Sequence, residues 1–288
     1  KLTRHNGRAG KNGVYNPKHN DRSFDLENSE HINAELAKKN VYWDCYNGFR
    51  SLAKEELLAD TFEEVEEMFY SSQYRNHVES QNQRNEKNRH PERNRTTSDL
   101  LKNKKTAPEE TIFQIGTIDN HVPPEILLQV VTDFLVELDT RFGKNVHILD
   151  WALHLDEGTP HIHERHVFDC ENSYGEVAPQ QEKALEELGF ELPDPTQKPS
   201  KINNRKKTFD SVCRVILFNI TKKYGLDLEE EPEYGGRAYL EKQDYILMKQ
   251  KQQMEQQEKK LEELTVKIED IETLVDEVAD VAYDKAVE

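Results

Sequence analysis

"HLDEGTPHIH", His154 to His163, sets three histidines and two acids around a Gly-Thr-Pro turn. Its flanks decide the fold. "VHILDWALHLD" (Val146 to Asp156) and "HIHERHVFD" (His161 to Asp169) each carry the β-branched and aromatic density of a strand, so the stretch predicts a hairpin with Glu157-Gly158-Thr159-Pro160 as its connection. Residues two apart in a strand share a face, which points His161 and His163 the same way, and a tight hairpin brings His154 alongside them. Three neutral imidazoles converging on one point, with no fourth protein ligand evident, describe an open catalytic metal site better than a closed structural one. Glu157, rather than its neighbour Asp156, is the expected partner for the second nitrogen of a ligand histidine, where it would fix the tautomer. The bland alternative is a set of surface histidines in a polar hairpin; it accounts well for one histidine and poorly for three.

Outward from the hairpin, "ETIFQIGTI" (Glu110 to Ile118) reads as another strand, and Pro124 to Gly143 shows helical spacing with Pro at its start and Gly at its end. Ala178 to Leu188 and Arg205 to Tyr224 read as further helices, separated by the proline-containing basic segment Leu192 to Lys207. The Gly- and Asn-rich stretch from Lys1 to Asn20 reads as loop. Ser51 to about Tyr70 predicts an amphipathic helix, and "SQNQRNEKNRHPERNRTTS" (Ser80 to Ser98) an exposed basic insertion or linker. From Leu240 an alternating three-and-four spacing runs for about six heptads through Leu261, Leu264, Ile268, Ile271, Val275 and Val278, with polar Gln243, Gln250 and Gln257 in the early seam. That pattern predicts a coiled coil, still running at Glu288 and expected to continue past it.

The chain of 288 residues is 35% hydrophobic and 33% charged, which implies long solvated stretches beside a real core. A formal charge of −17 argues on its face against a nucleic-acid partner, but the charges are segregated. Arg75 to Lys105 holds nine Lys/Arg against four Asp/Glu, whereas Arg237 to Glu288 holds eight against fourteen. Cys45, Cys170 and Cys213 are too few and too far apart for a disulfide framework, so a reducing cytoplasm is the simplest expected location. No apolar run approaches the roughly 20 residues of a membrane span, so no membrane insertion is expected.

The histidine stretch resembles the third motif, His-x-Asp-Glu-x-x-Pro-His-hydrophobic-His, of the Mob/Pre (MOBV-type) family of plasmid mobilisation relaxases and plasmid recombination enzymes, within the HUH endonuclease class. Upstream, "KHNDRSFDLENSEHIN" resembles the family's first motif through His19, Asn20, Asp21 and Arg22, followed by Ile32 and Asn33, and "KKNVYWD" resembles its second through Asn40, Tyr42 and Asp44. The resemblance implies an antiparallel sheet with the histidine hairpin at its centre. It also implies a divalent cation, Mn²⁺ or Mg²⁺, held by His154, His161 and His163. The implied chemistry is strand transfer: a His19 nucleophile forms a phosphoramidate with the 5′ phosphate of single-stranded or hairpin origin DNA, leaving a 3′-OH for religation. Tyr15 and Tyr42 are rival nucleophiles, because other relaxases use tyrosine, and His5 heads a second "HNGR" of its own. Arg22 either pairs a phosphate or caps a local carboxylate. Glu164 and His166 depart from the apolar residues that the resemblance leads one to expect, and imply either a partly open face or a buried polar contact.

The expectations are therefore an α+β fold, an antiparallel sheet with a central histidine hairpin covered by helices and followed by a C-terminal coiled coil. The relaxase domain would occupy residues 1–190 with a basic helical insertion at about 51–106. A basic linker with an accessory helix would fill 191–236, and the coiled coil 237–288. Catalysis falls to His19, Glu157 and Arg22, and DNA contact to Asn20, Asn33, Asn40, Tyr42, Lys201, Arg205, Lys206 and Lys207. The expected function is a site- and strand-specific DNA relaxase that initiates mobilisation, partnered by origin DNA, a second copy through the coiled coil, and conjugation coupling machinery. The alternatives are an HUH replication initiator and a non-catalytic DNA-binding coiled-coil protein with a structural metal.

Overall fold

The computed structural model describes residues 2–11, 13–24, 32–50 and 60–228, with scattered helical positions between 240 and 265. The strands are β1 (Leu2–Gly7), β2 (Ala9–Gly10), β3 (Gly13–Val14), β4 (Val41–Asp44), β5 (Gly48–Phe49), β6 (Glu109–Ile115), β7 (Val146–His154), β8 (His161–Glu171) and β9 (Val177–Pro179). The helices are α1 (Ala34–Ala37), α2 (Phe62–Lys87), α3 (Thr97–Lys102), α4 (Pro124–Phe142), α5 (Gln181–Glu187) and α6 (Arg205–Lys223). The chain falls into two units, Lys1–Gly236 and Arg237–Glu288.

The first unit is α+β. Its antiparallel sheet runs β1-β6-β8-β7-β4-β5, with β9 paired to the far end of β8. The hairpin β7–β8 occupies the middle of that order, with His154 opposite His161 and Ala152 opposite His163. Alternation then assigns the faces. His161, His163, Arg165 and Val167 line one side, while Ile162, Glu164, His166 and Phe168 line the other.

Each face has its own cover. Helices α4 and α6 pack on the Ile162 side, where Phe113 meets Phe134 at 5.4 Å and Phe168 meets Phe209 at 5.3 Å between ring centroids. On the histidine side α2 covers only part of the sheet, burying Tyr70, Tyr74 and Val78 against Leu149 and Val167. The rest of that face is left to the histidines.

Four expectations change. The Lys1–Asn20 loop contains an edge strand, β1, whose inward residues Arg4 and Asn6 bond Asp210 and Glu109, so its buried face lacks the apolar alternation that marks a strand. The helix expected over 51–70 is Phe62–Lys87, begun by a capping box between Thr61 and Glu64, and residues 51–59 lie outside the described residues. Much of the supposed basic linker is the continuation of that helix, because Gln, Arg, Glu and Lys are good helix formers despite their polarity. The helix expected from Ala178 begins at Gln181, after strand β9. Glu164 and His166 resolve into a buried pair, 3.0 Å apart, under α6.

Helix α6 belongs to the Lys1–Gly236 unit. In the second unit residues 253–262 are helical, and most of the heptad seam lies outside the described residues.

Asp210 ties α6 to β1 through Arg4 at 3.0 Å, and within α6 it also pairs with Lys206 one turn back. Burial raises its pKa, but Lys206 and Arg4 outweigh burial and bring it down to about 2. The charge therefore stabilises the fold above the ordinary aspartate value of 3.8, and that contribution fades as the pH falls from there toward about 2. Asp210→Asn is expected to lower the urea midpoint at pH 7 and to converge on the parent in acid; a gap independent of pH would show that the charge is not what stabilises the contact.

Candidate metal centre

Two short segments complete what the hairpin begins. Pro17–His19 forms a 3₁₀ turn, with Pro at its start and the Asn16 side chain accepting the Lys18 amide, and it sets His19 over the hairpin. The chain then doubles back at Arg22, whose φ of 58° is a left-handed conformation costly for a side-chain-bearing residue. Asp21 accepts the amide of Phe62 at 2.7 Å, which fastens this loop to the start of α2.

The three hairpin histidines gather with ring centroids 5.0 to 5.2 Å apart. Each has one nitrogen committed to an oxygen acceptor outside the cluster: His154 Nε2 donates to the Asn20 carbonyl at 2.8 Å, His161 Nδ1 to the Thr159 carbonyl at 2.8 Å, and His163 Nδ1 to Glu110 Oε1 at 3.1 Å. A carbonyl or carboxylate can only accept, so the proton sits on the outer nitrogen and a lone pair faces inward from His154 Nδ1, His161 Nε2 and His163 Nε2. His154 is fully buried and its Nδ1 has no hydrogen-bond partner. A buried imidazole nitrogen with a lone pair and no donor is what a cation site provides.

Glu157 and His19 join the cluster. Donor atoms within 4.8 Å of one another form two overlapping sets among the described residues, His19–His154–His163 and His154–Glu157–His161, with His154 common to both. The three hairpin histidines are thus linked through His154, with an imidazole and a carboxylate beside them. Glu157 Oε2 lies 3.7 Å from His161 Nε2, on the inner side, while the outer nitrogens are held by Asn20, Thr159 and Glu110. Fixing a histidine tautomer, the role expected of Glu157, therefore belongs to those three groups.

Burial, aided by charge, lowers the pKa of three of these imidazoles. Burial, then Arg22, holds His154 far below the usual imidazole range; burial also lowers His161, and burial with Arg22 and His163 lowers His19. Burial alone would raise Glu157, but hydrogen bonding to Arg22 brings it below the ordinary carboxylate value. Neutral imidazoles beside an ionised carboxylate are the ligand states a divalent cation requires.

The remaining expected site residues divide sharply. Arg22 caps local carboxylates: Nε and Nη2 grip Asp156 at 2.9 and 2.7 Å, and Nη2 also reaches Glu157 at 2.7 Å. Asn40 is fully buried and bridges Asp156 and the Leu155 amide, so it braces the turn. Asn20 is buried on Glu110. Asn33 caps α1 and donates its amide to the Asp156 carbonyl. Tyr42 packs on Phe62, and burial raises its pKa, which disfavours a phenolate nucleophile. Tyr15 lies against Gly7 and Gly10, and His5 stands on β1 beside Ile112. Arg205 pairs with Glu186, and Lys206 with Glu109 and Asp210, so neither cation is set out for a phosphate. Lys201 and Lys207 are exposed.

Reading the sequence missed Glu110, Arg165 and Glu66. For two of them the signal was charge inside strands, Glu110 next to Glu109 at the start of β6 and Arg165 in the middle of β8, whereas Glu66 is one of several glutamates in α2.

No family model matches the chain, and none of the curated proteins matches it. Solved structures to which it is similar include the Mn-bound MobM relaxase domain (MOBV; Mob_Pre) bound to plasmid pMV158 oriT DNA. In the crystal at pH 6.8 the identity is 13% and the TM-score 0.44, over 81% of this chain and 90% of that one. In the crystal at pH 5.5 the values are 14% and 0.41, over 81% and 91%.

Because Arg22 and Asp156 are a buried pair, removing one partner strands the other. Arg22→Ala is expected to cost about 3–5 kcal/mol of unfolding free energy without any DNA present. A variant as stable as the parent would return Arg22 to the role of a phosphate contact.

Proposed function

We propose that the Lys1–Gly236 unit is a metal-dependent DNA relaxase that nicks and rejoins one strand at a transfer origin, as the resemblance of its three motifs implies. The observation that carries the reading is the set of inward lone pairs on His154, His161 and His163, with neutral, half-exposed His19 at their edge.

His154, His161 and His163 would hold a divalent cation, with Glu157 within reach of the same space. When bound, such a cation polarises the scissile phosphate and offsets charge that builds on its oxygens. His19 supplies the nucleophile. Its unprotonated nitrogen forms the P–N bond as the P–O3′ bond breaks, and the departing 3′ oxygen takes a proton from solvent. Glu157 Oε1, 3.5 Å from His19 Nε2, stands as acceptor for the proton that imidazole still carries. Attack by the 3′-OH on the phosphoramidate reverses the step and reseals the strand. Arg22 orients both ends of this arrangement, donating to the His19 carbonyl at 2.7 Å as well as to Glu157.

Exposed Lys201 and Lys207 remain candidates for phosphate contact, and self-association through the C-terminal heptads remains part of the proposal. Among the described residues no helix is long and apolar enough to cross a membrane. One observation favours a second reading: His19 is itself within donor range of His154 and His163, so four protein ligands could close a structural metal site.

The test is incubation of supercoiled plasmid carrying the element's own origin with Mn²⁺ and the full chain. Relaxed circles are expected, reduced at least about a thousandfold by His19→Ala and about a hundredfold by His161→Ala, with the adduct on His19. Metal and DNA binding without nicking would replace the enzyme by the structural reading, and an adduct on Tyr15 or Tyr42 would displace His19 as nucleophile.

A further inference from the structure

Beneath the histidines the sheet carries charges where a strand normally buries apolar side chains. Glu110, Arg165 and Asp150 stand opposite one another across β6, β8 and β7, and Glu66 meets them from α2. Arg165 is 1% exposed and Glu66 3%. Arg165 donates Nε to one Glu66 oxygen and Nη2 to the other, the second at 3.1 Å, and turns Nη1 to Glu110 Oε2 at 3.3 Å.

The path continues into the centre. Glu110 accepts from His163 Nδ1 at 3.1 Å and from the Asn20 amide at 3.1 Å, and the Asn20 carbonyl accepts from His154 Nε2 at 2.8 Å. One carboxylate thus governs the orientation of two of the three hairpin imidazoles, and one buried arginine governs that carboxylate. Asp150 is buried beside Glu66; burial and Glu66 push its pKa far up, and burial raises Glu66 as well, against the pull of Arg165. A buried ion pair is often no better for stability than well-packed apolar side chains of the same volume. Cohesion alone therefore gives little reason to build one here.

We propose that Glu66 and Arg165 are positioning residues for the histidine centre: Glu66 anchors Arg165, and Arg165 holds the Glu110 carboxylate where it orients His163 and, through Asn20, His154. This rests on reading the centre as a divalent-cation site. With Glu66 neutralised, Arg165 keeps its charge and draws Glu110 toward itself, away from His163. With Arg165 gone, Glu110 loses its anchor.

The experiment measures Mn²⁺ affinity and urea stability of the full chain for the parent, Glu66→Gln, and the double variant Glu66→Met with Arg165→Met. Nitrogen NMR of the imidazoles in metal-free protein gives a second readout. The dissociation constant for Mn²⁺ is expected to rise about tenfold or more in both variants. His163 should lose its uniform Nδ1–H tautomer, while the double variant regains parental stability. Parental Mn²⁺ affinity in a stable double variant would overturn the proposal and leave the relaxase reading standing. If the parent binds no divalent cation, the metal reading falls by itself. The tautomer then decides the positioning role: a shift in Glu66→Gln supports it, and an unchanged His163 overturns it.

Discussion

The structure of the site depends on one hydrogen bond, from His154 Nε2 to the backbone carbonyl of Asn20. It joins the end of β7 to the loop that carries His19, two segments 134 residues apart in the chain. Because a carbonyl can only accept, the same bond fixes the His154 proton on the outside and leaves Nδ1 bare in the interior. Burial without a partner costs such a nitrogen about 1–3 kcal/mol. The chain tolerates that cost at the place where His161 and His163 present bare nitrogens of their own.

The two faces of the sheet explain how the site can exist in a stable fold. Aromatic packing under α4 and α6 supplies cohesion on the Ile162 side, and α2 supplies more over Val167 and Leu149. The open remainder of the histidine face can then carry charge. Its cations serve carboxylates: Arg22 serves Asp156 and Glu157, and Arg165 serves Glu66 and Glu110. Glu110, so held, gives His163 an oriented acceptor, and burial together with the nearby positive charge of Arg22 lowers the pKa of His154 and His19.

The hairpin was legible because its signals are local: β-branched and aromatic density in two strands, a turn, and histidines at spacings a strand converts into one face. Helices α4 and α6 were legible for the same reason, through apolar spacing and end residues. Strand β1 was hidden because the partners of Arg4 and Asn6 lie more than 100 residues away, and polar burial leaves no local periodicity. The extent of α2 was hidden because its second half covers little apolar surface. Roles within the site were the least legible. Arg22 and Asn40 are chemically apt for DNA and are spent on Asp156, and Lys206 is spent on Glu109 and Asp210. A motif specifies which residues gather, while only the fold shows which of their atoms are already engaged.

On the proposed reading, the bare nitrogens of His154, His161 and His163 share one cation. Diffraction from crystals of the full chain soaked in Mn²⁺, recorded with anomalous scattering at the manganese edge, tests it most directly. One strong peak is expected among His154 Nδ1, His161 Nε2 and His163 Nε2, with Glu157 within reach and the outer bonds to Asn20, Thr159 and Glu110 intact. No peak at saturating Mn²⁺, or a peak held by the outer nitrogens, would contradict it.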